Sequence, residues 1–107
     1  MSMTWYERVI AAHTAVTSAV SHGQRLKSSR YLVWAEDGSN DRTAEGQHKM
    51  RAMSGHTDLF TKQEFDGWVD ELGASLSEYN IAWELSYADF EEDTGFWHYR
   101  WDWEAPN

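Results

Sequence analysis

Five histidines, His13, His22, His48, His56 and His98, are the side chains of this 107-residue chain best suited to acid–base or metal chemistry. A zinc-dependent hydrolase needs two of them one helical turn apart with a glutamate between, or cysteines at short fixed spacings. Neither arrangement occurs, and the chain has no cysteine, which also removes disulfides and a thiol nucleophile. His13 falls on the apolar stripe of a helical segment, where a hydrogen-bonded core or rim histidine is the simpler role. His98 alternates onto the polar face of a strand, where cross-strand pairing accounts for it.

The carboxylates are the second candidates. Asp89, Glu91, Glu92 and Asp93 have the alternation of a calcium loop but lack the glycine at its sixth position and the distal bidentate glutamate. A solvated hairpin turn ending in Gly95 explains them better, and Asp37, Ser39 and Asp41 fail in the same way. With 18 acidic residues, pairs suited to glycoside hydrolysis are always available by counting. A domain of this size built on one sheet has little room for the cleft such chemistry needs. No nucleophile elbow, phosphate-cradling glycine loop or dinucleotide fingerprint is present. The expectation is a protein with no catalytic, cofactor-binding or metal-binding residues, and not an enzyme.

The elements follow from periodicity. Thr4 and Glu7 have the spacing of a capping box, and Tyr6, Val9, Ile10, His13, Val16, Thr17 and Val20 recur helically up to Gly23. A polar, basic connector, Gln24 to Arg30, leads to the β-prone run Tyr31-Leu32-Val33-Trp34. From Glu36 to Gln47 the only apolar residue is Ala44, so this stretch reads as a long exposed loop of the kind that contacts other molecules. Met50 to Phe60 reads as a second strand, with Gly55 marking a bulge or close approach. Thr61 and Glu64 suggest a second capping box. Phe65, Trp68, Val69, Leu72, Leu76 and Tyr79 then follow at helical offsets of 0, 3, 4, 7, 11 and 14. Gly67 and Gly73 in that helix suggest a backbone packed close by. Ile81, Trp83, Leu85 and Tyr87, then Trp97, Tyr99, Trp101 and Trp103, alternate with smaller or polar neighbours across the turn Glu91–Gly95, as in a hairpin with one apolar face.

The expected fold is therefore α+β, in the order α-β-β-α-β-β. It comprises one domain over 1–107, with an antiparallel four-stranded sheet and two helices packed on one face. Seven tryptophans in so short a chain point to a real core, with ring surface to spare for a partner. A formal net charge of −9 repels nucleic-acid phosphates and anionic membranes, so the aromatic stripe is a core or subunit face, not a stacking platform for single strands. No apolar stretch approaches transmembrane length and no secretory signal opens the chain, so a soluble protein made in the cytoplasm is expected.

Three phrases carry a resemblance. They are Tyr31-Leu32-Val33-Trp34 before a polar loop, Thr57-Asp58-Leu59-Phe60-Thr61-Lys62 leading into a helix, and the closing hairpin from Ile81-Ala82-Trp83 to Tyr99-Arg100-Trp101-Asp102-Trp103-Glu104. Together they resemble the small tail-completion proteins of long-tailed phages and prophages, relatives of the lambda-type tail terminator. The resemblance implies a virion subunit at the tail end or neck, assembled in the host cytoplasm. Its partners would be copies of itself in a ring, typically a hexamer, the tail-tube protein and the head connector, with DNA only as passing cargo and no membrane. Glu36, Asp37, Asn40, Asp41, Arg42 and Glu45 would face a neighbouring subunit or the channel, with Arg25, Lys27 and Arg30 as a complementary patch. A neck or connector subunit other than the terminator fits equally. The alternative from another class is an acidic inhibitor that imitates DNA.

Overall fold

A computed structural model describes residues 3–39, 42–44, 47–50 and 52–107, with side chains over 3–38 and 52–107. The elements are α1 (Trp5–Thr14), β1 (Val20–His22), β2 (Arg30–Ser39), β3 (Arg42–Ala44), β4 (Gln47–Met50), β5 (Ala52–Thr61), α2 (Trp68–Glu78), β6 (Ala82–Glu91) and β7 (Phe96–Pro106). Five strands form one sheet in the order β1-β2-β5-β7-β6, and β3 and β4 pair as a separate two-stranded sheet. The fold is α+β as expected, but the main sheet is five-stranded and mixed, not four-stranded and antiparallel, because β1 runs parallel to β2.

The extra strand comes from the end of the first helix. The capping box is present: Thr4 Oγ1 accepts the Glu7 N–H at 3.2 Å, and Glu7 Oε1 accepts the Thr4 N–H at 2.8 Å. The helix nevertheless stops at Thr14, well short of Gly23. Thr14 and Thr17 turn their hydroxyls onto nearby backbone, Thr14 donating to Ile10 O at 2.9 Å and Thr17 accepting the Ala19 N–H at 3.0 Å. Such local bonds compete with a helix, and branched Val16, Thr17 and Val20 weaken it further. Val20–His22 gains more by pairing with Leu32–Trp34.

The second helix also starts later than its stripe suggests. Phe65 stands outside it with a left-handed φ of 56° and its ring 87% exposed. Thr61 and Glu64 form no capping box; Thr61 Oγ1 instead donates to Asp66 Oδ2 at 2.7 Å, and Asp66 Oδ1 accepts the Trp68 N–H at 2.9 Å. At the other end Asn80 takes a φ of 62°, with Asn80 N–H donating to Ser77 O and Ile81 N–H to Leu76 O, the paired bonds of a Schellman stop. That stop places Ile81 in the core.

Both helices lie on one face of the sheet. Val9, Ala12, Leu72 and Leu76 pack there against Leu32, Trp34, Leu59, Trp101, Trp103 and Ala105. Each large aliphatic side chain so buried contributes about 1.5–3 kcal/mol. Tyr31, Val33 and Phe60 form a smaller cluster on the opposite face, with Phe96 beside it. Gly55 is the close approach expected: a Cβ there would collide with the Trp103 ring and lie 2.7 Å from Ala35 O. Gly73 likewise meets Trp83, whose ring atoms would lie 2.8 Å from a Cβ, so the neighbour is a side chain and not a backbone.

One polar relay crosses this core. Trp103 Nε1–H donates to Thr57 Oγ1 at 2.9 Å, Thr57 Oγ1 lies 2.7 Å from His13 Nε2, and His13 Nδ1 lies 2.6 Å from Val9 O. The carbonyl can only accept, so His13 donates from Nδ1; Thr57 Oγ1 accepts the indole proton and, with the ring neutral, donates its own to Nε2. Burial disfavours the charged form of the ring and pushes its pKa down to about 4, against a weaker upward pull from the Val9 carbonyl.

Two predictions follow from this packing. Gly55→Ala should lower unfolding free energy by about 1–3 kcal/mol through overpacking, seen as a reduced urea midpoint. Gly38→Ala, with nothing within 4 Å of its added Cβ, serves as the control and should change the midpoint far less. For His13 the sign is set by the depressed folded-state value. Above about pH 6.5 neither state binds the proton and the stability is fully present; between 6.5 and about 4 only the unfolded chain binds it, so stability falls as pH falls. The loss should reach on the order of 3 kcal/mol. Urea titrations at several pH values should show a flatter slope over this window in His13→Gln.

Candidate functional site: the two edges of the sheet

At one edge, β1 and the outer flank of α1 enclose an apolar groove of about 520 Å³, lined by Trp5, Tyr6, Ile10, Val20, His22 and Trp34 among others. Tyr6 and Ile10 are each 48% exposed. β1 is held in place by Gly23, whose left-handed φ of 79° turns its N–H to donate to Trp34 O at 2.8 Å. His22 stacks on Trp34 with ring centroids 3.9 Å apart and bonds Glu36 Oε1 at 2.6 Å. That bond holds the Glu36 carboxyl below the usual range.

At the other edge lies β6, paired among the described residues along β7 only. Trp83, Leu85, Tyr87 and Phe90 remain about two-fifths exposed. The simple alternation expected for this strand breaks between Leu85 and Tyr87, where the register shifts. Trp83 and Leu85 stand opposite Trp103 and Trp101 on the helix-bearing face, whereas Tyr87 stands opposite Arg100 on the far face, its ring 5.0 Å from His98. Beyond the bulge Phe90, opposite Trp97, is back on the helix-bearing face. Trp83 is fixed by Gly73 beneath its ring and by its indole N–H, which donates to Ser77 Oγ at 2.8 Å. An outer strand of this length leaves a row of backbone donors and acceptors open for another chain.

The two edges differ in charge. From Trp5 to Ser39, the stretch of α1, β1 and β2 that builds the groove edge, there are four basic residues and three acidic ones, Glu7, Glu36 and Asp37. From Gln63 to Trp97, the stretch that builds α2 and β6, there are ten acidic residues and no lysine or arginine. The excess negative charge is therefore concentrated on the α2 and β6 side of the sheet.

The face opposite the helices carries a line of polar contacts. His98 Nε2 meets Asp58 Oδ1 at 2.6 Å, and His56 Nδ1 meets Asp37 Oδ1 at 2.8 Å. Asp58 also lies 3.8 Å from His56 Nε2, and His56, Asp58 and His98 line a cleft of about 320 Å³ on this face together with Arg25 and Arg100. Among the described residues no group of three or more His, Asp or Glu side chains could hold a metal ion. Nor is any helix among them long and apolar enough to cross a membrane.

Of the residues proposed from sequence, Glu36 lines the groove and Asp37 pairs with His56. Within 36–47, Glu36–Ser39 continue β2 and Arg42 begins β3, so the described part is strand where a loop was expected. Asn40, Asp41 and Glu45 lie outside the described residues, and the Arg42 side chain is not described. Arg25 reaches the far face, donating to Tyr31 Oη at 3.1 Å with its guanidinium 3.9 Å from the Phe60 ring centroid. Lys27 is exposed. Arg30 is committed inside the subunit: it donates to both Asp66 oxygens, at 2.8 and 2.5 Å, and lies over Trp68. The exposed Tyr6, Ile10, Phe65 and Phe90 were not singled out from sequence, since helical and strand periodicity assigns apolar residues to the core. The acidic excess of the α2 and β6 stretch was readable there.

No family model matches the chain, and no curated protein matches it. Among solved structures, a chain of the virion of a native gene transfer agent (GTA) particle aligns with a TM-score of 0.59 at 12% identity. The alignment covers 94% of this chain and 89% of that one, so the likeness extends over the whole fold.

Asp66 is buried, which raises the cost of its charge, yet bonds from Arg30, the Trp68 backbone and Thr61 outweigh this and hold its carboxyl below the ordinary range. Arg30→Ala should therefore destabilise the protein by about 3–5 kcal/mol, because it strands a buried carboxylate. Denaturant unfolding at pH 7 would read this, and a change below 1 kcal/mol, about the ceiling for an exposed surface pair, would show that the pair acts as one.

Proposed function

We propose that the chain is a structural subunit of a phage-like particle, and within that class a tail-completion protein of the terminator type. The observation that carries this reading is the likeness along almost the whole chain to a subunit of a gene transfer agent virion. In this role copies assemble as a ring, expected to be a hexamer, that ends the tail tube and meets the head connector at the particle's neck. No catalytic step is required of it. The net charge of −9 suits a ring through which DNA slides, since acidic walls do not grip phosphates. Two different open edges on one subunit suit it too, because head-to-tail contacts close rings. The proposed contact residues Glu36, Asp37, Asn40, Asp41, Arg42 and Glu45 would face the channel or a neighbouring copy.

The same acidic surface underlies the second reading, an inhibitor that imitates DNA. It is favoured by the ten acidic residues between Gln63 and Trp97. Electron microscopy of the protein mixed with its tail-tube protein separates the two. Tubes of limited length carrying a ring at one end are expected; tubes of unrestricted length would sink the terminator reading. A bound nucleic-acid enzyme in place of tubes would favour the inhibitor.

A further inference from the structure

We propose that β6 of one copy seats in the groove between α1 and β1 of the next, so that the subunits join head to tail through opposite sheet edges. The contact rests on the ring reading above and names the surfaces that make it.

Three independent features meet in it. The first is position: β1 and β6 are the two outer strands of one sheet, so a contact between them uses different patches on each copy and leaves both free ends able to continue. The second is the face on which the apolar groups stand. The groove lies on the helix-bearing side, between Tyr6 and Ile10 of α1 and Trp34 of β2. Trp83, Leu85 and Phe90 project from β6 on that same side, because the bulge sends Tyr87 alone to the other. A neighbour's β6 laid beside β1 with its sheet in line would therefore carry those three rings and side chains into the groove. Contact across it would cover apolar surface on both partners.

The third feature is charge. The groove edge is nearly balanced, with four basic and three acidic residues from Trp5 to Ser39, whereas the β6 edge comes from a stretch with ten acidic residues and neither lysine nor arginine. Two β6 edges brought together would set Glu84, Asp89 and Glu91 against their own copies. Repulsion therefore disfavours the two-fold arrangement that an exposed strand otherwise invites. The nearly balanced groove edge sets no such excess of like charge against β6, which leaves the heterologous arrangement favoured.

The absence of cysteine makes the contact directly testable. Ile10→Cys and Leu85→Cys are placed on exposed positions of the two edges. Under mild oxidation at high protein concentration and low salt, an equimolar mixture of the single variants is expected to give a covalent dimer that neither gives alone. The double variant is expected to give a ladder of covalent oligomers. Dimers of Leu85→Cys alone would overturn the proposal in favour of two-fold pairing, and so would the lack of any mixed dimer. Length-controlled tail tubes without the mixed cross-link would remove this contact and leave the virion role standing. A cross-linked ladder whose rings do not end tail tubes would do the reverse.

Discussion

The orientation of α1 on the sheet depends on the relay from Trp103 through Thr57 and His13 to the Val9 carbonyl. Each group in it is buried, so each needs its partner, and an unmatched donor or acceptor there would cost about 1–3 kcal/mol. Burial keeps the imidazole neutral, and the Val9 carbonyl then fixes its tautomer, with the proton on Nδ1 and Nε2 left to accept from Thr57. Ser75 adds a second polar tie, donating to Ala12 O at 2.6 Å and so joining α2 to α1. The helices are thereby locked to the sheet and to each other over a core in which nonpolar packing alone would tolerate several angles.

With α1 locked by its inner face, its outer flank cannot turn inward. Tyr6 and Ile10 consequently stay at the surface, beside the short strand that the end of the helix releases. At the far edge Trp83 is held by Gly73 and Ser77, which keeps β6 flat against β7 while its outer side remains open. The sheet is not closed into a barrel, so its edges are the surfaces left over once the core is satisfied. The acidic excess on the α2 and β6 side then distinguishes one edge from the other.

Local chemistry was legible where it is self-contained. The Thr4–Glu7 capping box, the Gly95 turn, the stripe from Trp68 to Leu76 and the alternation of β7 all read directly from residue type and spacing. Gly55 was legible as a close approach because a bare glycine within a strand has few other uses. The misreadings share one cause. Val16 to Val20 keeps helical spacing, and Phe65 keeps the phase of α2, but pattern does not register the competing contact: pairing with Leu32–Trp34 in the first case, the Asp66 anchor to Arg30 in the second. The Ser86 bulge was invisible for the same reason, since register shifts arise between strands.

By itself the sequence determined the α+β class, the absence of any recognised catalytic spacing, the closing hairpin and the concentration of acidic residues between Gln63 and Trp97. These depend on residues near one another in sequence. Only the tertiary structure decided that Val20–His22 is a strand parallel to β2, that Arg30 is spent on Asp66, and that the acidic stretch stands at the edge of the sheet away from β1. Each of those outcomes is a choice between partners distant in sequence, settled by which pairing buries more apolar surface and satisfies more polar groups.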